Sequence, residues 1–132
     1  MDIQERTALI ASLTEYLKDD NNISFAFLFG SFKDYDDAVG FQDIDIAIYI
    51  TGASDMVDYA LNVTAEVSFK YNLSIECIPL NIAPVFFRYR IFKDGLILFY
   101  KDENLLTDIM EETAIKALDF MPLREEAMRE LI

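Results

Sequence analysis

The segment LFGSFKDYDDAVGFQDIDIAIYI, Leu28 to Ile50, decides the reading of this chain. It closes one apolar run with Gly30-Ser31, crosses a polar stretch, and enters a second apolar run through Asp43-Ile44-Asp45. The run before it, ISFAFLFG from Ile23 to Gly30, is apolar on both faces and rich in Phe. That pattern predicts a central strand covered on both sides. A glycine directly after such a strand lets the backbone approach a ligand closely. If a helix begins at Ser31, its free N–H groups favour an anion. A plain strand-to-helix turn would show the same two residues.

Asp43 and Asp45 flank Ile44 at the start of the second strand. Side chains at i and i+2 of a strand share a face, so the two carboxylates are parallel and close. Ile44, Ile46 and Ile48 occupy the other face. Like charges so placed are unfavourable unless a cation lies between them, and a hard divalent ion with oxygen ligands supplies one. An Asp-x-Asp also arises by chance in so acidic a chain, as Asp34-Tyr35-Asp36 illustrates, and a solvated edge strand tolerates the pair without function. A third acid, Glu76, sits in the apolar run Leu73 to Ile78. It completes a three-carboxylate cluster if that strand pairs beside Asp45; otherwise it is an ordinary surface Glu. Cys77, on the opposite face, reads as a small buried hydrophobe.

Outward from this segment the periodicities lay out one domain over 1–132. Leu9, Leu13, Tyr16 and Leu17 mark an opening helix, with Asp2 and Glu5 as its capping pair. Lys33 to Gln42 reads as a short helix or loop. Gly52 and Ser54 open a helix from about Asp55 to Tyr71 with Met56, Ala60, Val63 and Val67 on one stripe. Pro79 and Pro84 bracket a turn, a short helix covers Val85 to Phe92, and Asp94-Gly95 turns into a strand from Leu96 to Tyr100. The tail from Glu103 to Leu131 is helical, with Pro122 expected to break or restart it. Few short strands among long helices predict an α/β two-layer or α+β domain rather than a doubly wound sheet.

Composition sets the outer limits. The chain has 132 residues, 53% of them apolar, with eleven Phe, enough for a core without staples. Its net charge of −13 repels free DNA, RNA and anionic membranes. It has one Cys and no His. That excludes a disulfide framework, His-based triads and His-ligated zinc, so any chemistry falls to carboxylates, hydroxyls, Lys or Arg. An acidic N-terminus without a signal sequence, and apolar runs shorter than the ~20 residues of a membrane helix, place the chain as a soluble cytoplasmic domain. Lys33 lies within reach of a phosphate held at Gly30. Arg88, Arg90 and Lys93 form a cationic cluster suited to pyrophosphate or to offsetting surface acids. Tyr35, Tyr49 and Phe32 are aromatic enough to stack on a base, though core roles are commoner.

Gly30-Ser31 followed by Asp43-x-Asp45 at a strand start resembles the nucleotidyltransferase fold of the DNA polymerase β superfamily. The likeness is greatest to its minimal nucleotidyltransferase (MNT) branch, the MntA-like antitoxins of HEPN/MNT toxin–antitoxin pairs. IECIPLNIAPVFFRYRIFKDGLILFY, Ile75 to Tyr100, resembles that branch's third carboxylate strand, its Leu80-Asn81 turn and its Asp-Gly strand, and Asp119 with Pro122-Leu123-Arg124 extends the similarity to about residue 125. The resemblance implies an α/β (α+β) nucleotidyltransferase fold, a small mixed sheet of about four to five strands flanked by helices. It implies that Gly30, Ser31 and Lys33 bind nucleotide phosphates. Asp43, Asp45 and Glu76 would be the catalytic carboxylates and hold one or two Mg2+. ATP would supply AMP to a tyrosine of a HEPN-domain toxin. Two departures stand out: the Ser31 to Asp43 gap is one residue longer than usual, and Glu76 stands where the family usually has Asp. The extra methylene moves that carboxylate by roughly an ångström, a misplacement of the kind that costs on the order of 10²-fold in rate. A weakened antitoxin that neutralises its partner by binding alone is therefore the alternative expectation.

Overall fold

The computed structural model of the protein describes residues 1–33 and 43–131. Its elements run α1 (Ile3–Lys18), β1 (Ile23–Phe29), β2 (Ile44–Ile50), α2 (Met56–Tyr71), β3 (Ile75–Pro79), a 3-10 turn (Leu80–Ile82), α3 (Val85–Asp94), β4 (Leu96–Tyr100) and α4 (Glu103–Leu131). The strands form one mixed sheet in the order β3-β2-β1-β4. β1 pairs antiparallel with both β2 and β4, and β2 pairs parallel with β3. A parallel neighbour needs a crossover, which α2 provides.

The apolar character of β1 on both faces dictates the layering. Ala26 and Leu28 join Leu13 and Leu17 of α1 and Ala60, Val63 and Val67 of α2 on one face. Phe25 and Phe27 join Ile91 of α3 and Leu106 of α4 on the other. Helices therefore cover both faces, and the layers number three rather than the two expected. Each large side chain taken fully from water contributes roughly 1.5–3 kcal/mol, so the buried Phe25, Phe27 and Phe32 are major terms.

Helix ends follow the sequence signals. Asp2 accepts a hydrogen bond from the Glu5 N–H at 2.7 Å, and Asp55 accepts one from the Asp58 N–H at 3.0 Å. Asn72 ends α2 in the left-handed conformation, φ 52°. α4 differs from expectation: it runs unbroken through Pro122. A proline removes one backbone donor, and here the remaining ladder carries the helix past it. Residues 34–42, which hold Tyr35 and most of the predicted short helix or loop, lie outside the described residues. Among the described residues, no helix is long and apolar enough to cross a membrane.

The edge strand β3 is held by side chains rather than by another strand. Thr64 Oγ1 accepts from the Cys77 N–H at 2.9 Å and donates to the Cys77 carbonyl at 3.2 Å. One turn on, Ser68 Oγ accepts from the Ile75 N–H at 3.3 Å and donates to the Ile75 carbonyl at 2.9 Å. These two hydroxyls satisfy the outward backbone groups that would otherwise invite another strand. They also fix the pleat of β3: Ile75 and Cys77 face the α2 side, so Glu76 faces the opposite side. Burial pushes the Cys77 thiol up to about 12, as suits a packing residue.

Past Pro79 the chain leaves the sheet, and Asn81 takes over the pairing. Its carboxamide accepts from the Ile50 N–H and donates to the Ile50 carbonyl, both at 2.8 Å. Ile50 is buried, so without that amide both backbone groups lose their partner. Asn81→Ala is expected to lower the unfolding free energy by about 1–3 kcal/mol, the cost of unsatisfied buried polar groups, measured as a lower urea midpoint with an unchanged slope.

Candidate functional site

Three strand ends bring the predicted site residues into one row. Phe29 at the end of β1 lies opposite Asp45 of β2, and Asp45 lies beside Glu76 of β3. Register neighbours share a face, so the pairing that Glu76 required is present. The face is the one that carries Ala47 and Tyr49 of β2 and Ile78 of β3 toward α3 and α4. Asp45 is half-buried, whereas Asp43 and Glu76 are exposed.

Electrostatics follow from that row. The Asp45 carboxyl is pushed up by burial, then by the negative charges of Glu76 and Asp43. Folded chain thus binds this proton more tightly than unfolded chain. The ionised carboxylate opposes folding as pH rises above 3.8 through the folded value. Asp43 finds a local partner, accepting a hydrogen bond from Ser74 Oγ at 2.5 Å. Among the described residues no three acidic, Cys or His side chains are gathered as a ready metal cage. The acids share a face, where repulsion between like charges opposes their gathering without a cation.

Gly30 sits directly against Asp45. Its φ is +79°, and a Cβ built there would overlap Asp45 Oδ2 and lie 3.3 Å from Cγ. Both the left-handed backbone and the close approach call for glycine. The chain then turns: the Lys33 N–H donates to the Gly30 carbonyl at 3.2 Å. Residues 31–33 form a turn. Phe32 is fully buried in the α1 side of the core, which removes it as a base-stacking surface. Tyr49 is likewise occupied, stacked on Phe25 at 4.8 Å.

Gly30, Ser31 and Lys33 line a cavity of about 840 Å³ whose other wall is α3, with Phe87, Arg90 and Lys93. The predicted cationic cluster therefore splits. Arg90 and Lys93 face the glycine turn, while Arg88 buries its Nε and adds only slightly to the lowering of the Glu112 carboxyl, which comes mainly from its hydrogen bond and charge pairing with Lys116. Phe29 and Phe87 meet edge to face in the same cavity wall, ring centroids 5.7 Å apart. Sequence reasoning missed this aromatic pair. Its one signal was Phe87 lying three residues before Arg90 on one helix face.

The chain belongs to the polymerase beta nucleotidyltransferase family, whose model matches residues 11–104. A solved structure of the tri-AMPylated Shewanella oneidensis HEPN toxin in complex with MNT antitoxin superposes with a TM-score of 0.73 at 14% identity, covering 96% of this chain and 98% of that one. A toxin–antitoxin MntA-HpeT mutant gives 0.73 at 13% identity over 92% and 97% of the two chains. A toxin–antitoxin structure with AMP-PNP gives 0.69 at 12% identity over 98% of each. No curated relative matches the chain in sequence. The nucleotidyltransferase fold is thus shared where few residues are.

The contact between Gly30 and Asp45 is open to a direct test. Gly30→Ala is expected to cost about 1–3 kcal/mol from backbone strain and overlap together. Asp45→Ala in the same chain should recover the overlap portion and leave the strain, read as a non-additive cycle of urea midpoints.

Proposed function

We propose that the protein is a Mg2+-dependent adenylyltransferase that moves AMP from ATP to a tyrosine hydroxyl of a cognate HEPN toxin, and so acts as its antitoxin. The observation that carries this reading is Asp45, held between Glu76 and the Gly30 turn with its charge uncompensated. A related structure suggests the class of partner: it is a tri-AMPylated HEPN toxin in complex with an MNT antitoxin.

The donor set fits a hard divalent cation. Asp43, Asp45 and Glu76 offer oxygen ligands only, and their mutual repulsion is the deficit that such an ion relieves. One or two Mg2+ held there would neutralise charge building on the transferred phosphate. The remaining work falls to the chain. Ser31 and the Gly30 turn bear on the phosphates, and Lys33, Arg90 and Lys93 offset their charge from both walls of the cavity. Phe29 and Phe87 give the nucleoside an apolar wall. The toxin hydroxyl attacks the α-phosphorus; a new O–P bond forms, the bond to the β-phosphate oxygen breaks, and pyrophosphate leaves. Glu76, exposed at the end of the row, is placed to accept the hydroxyl proton.

One observation favours a second reading, neutralisation by binding alone: Asp43 is already engaged by a hydrogen bond from Ser74. The two readings separate in one experiment. Incubation with ATP, Mg2+ and the HEPN partner is expected to add AMP mass to a partner tyrosine. Asp43→Asn with Asp45→Asn should abolish both the added mass and neutralisation. Neutralisation that survives the double substitution, with no added mass from the unaltered chain, would establish the binding-only role.

A further inference from the structure

We infer that Arg6, at the start of α1, is a positioning residue that sets the phosphate-facing turn from behind. This extends the nucleotidyltransfer reading above and rests on it for the ligand. Arg6 lies ahead of the residues the family model matches, and no sequence signal marked it. Its Nη2 donates to the Phe32 carbonyl at 3.2 Å and to the Lys33 carbonyl at 2.5 Å. Its guanidinium also lies over the Phe32 ring, 5.3 Å from the centroid.

Arg6 does not itself line the cavity; it ties the turn to α1. The turn is also closed by the Lys33 N–H donating to the Gly30 carbonyl. On the α1 side Arg6 takes the two carbonyls that follow, while the fully buried Phe32 side chain anchors the turn to the core. Two carbonyl oxygens that accept from a guanidinium are two partial negative charges offset next to Ser31 and Lys33, which line the cavity. A planar guanidinium that also stacks over the Phe32 ring suits this better than a flexible ammonium. Without Arg6, the turn would have to be ordered each time an anion enters, and that entropy would be taken from binding.

The test uses the full chain, Arg6→Ala, Arg6→Lys, and a control, Leu13→Ala, that removes a buried α1 side chain and keeps the Arg6 hydrogen bonds to the turn in place. Amide hydrogen exchange is followed at residues 30–33, and Mg-ATP affinity by calorimetry. Arg6→Ala should speed exchange at the turn and weaken Mg-ATP binding by about tenfold or more, the equivalent of ordering one backbone residue on binding. Arg6→Lys should recover part of both. Leu13→Ala should lower the melting temperature and leave both readouts at wild-type values. Unchanged exchange in Arg6→Ala, or equal weakening by Leu13→Ala, would overturn the inference. A wild-type chain that takes no Mg-ATP would instead overturn the nucleotidyltransfer reading, leaving the holding of the turn to stand or fall on the exchange data.

Discussion

Carboxylates packed on one sheet face beside a glycine that contacts one of them are the constraint on which the site depends. Burial and two like charges raise the Asp45 carboxyl, and only the absence of a side chain at Gly30 leaves room for that carboxylate where it lies. In the folded chain this is a standing cost. The proposed divalent cation, bound with an anionic nucleotide, would relieve that cost.

The rest of the fold can be read as the means of holding that row still. β1 is central and apolar on both faces, so it fixes where Gly30 emerges. The hydroxyls of Thr64 and Ser68 hold the edge of β3 and thereby the direction of Glu76. Asn81 extends the pairing past Pro79 and lets the chain turn into α3, which returns Arg90 and Lys93 to the glycine turn. Side-chain hydrogen bonds thus substitute for a neighbouring strand at the point where the sheet stops.

Much of this was legible in the sequence because it depends on period. The two-faced run of β1 and the i, i+2 spacing of Asp43 and Asp45 each fix a face without tertiary knowledge. The pairing of Asp45 with Glu76 could only be stated as a condition, since register across a crossover is set by packing. Layer number is not fixed by period alone, because which sheet face α3 and α4 cover, through Ile91 and Leu106, is set by packing. The division of Arg88 from Arg90 and Lys93 follows from helical geometry, yet which face meets the turn is decided by the α3–α4 contact. Arg6 left no local signature and Phe87 only its spacing from Arg90, because each acts through residues far along the chain.

The central claim, that the Asp43, Asp45 and Glu76 row is a charge deficit built for a cation, is most directly tested by thermal unfolding of wild type and Asp45→Asn with and without Mg2+. The account predicts that Asp45→Asn melts a few degrees higher than wild type in metal-free buffer, and that the Mg2+-induced rise seen in wild type disappears. A lower metal-free melting temperature for Asp45→Asn, together with an undiminished response to Mg2+, would contradict it.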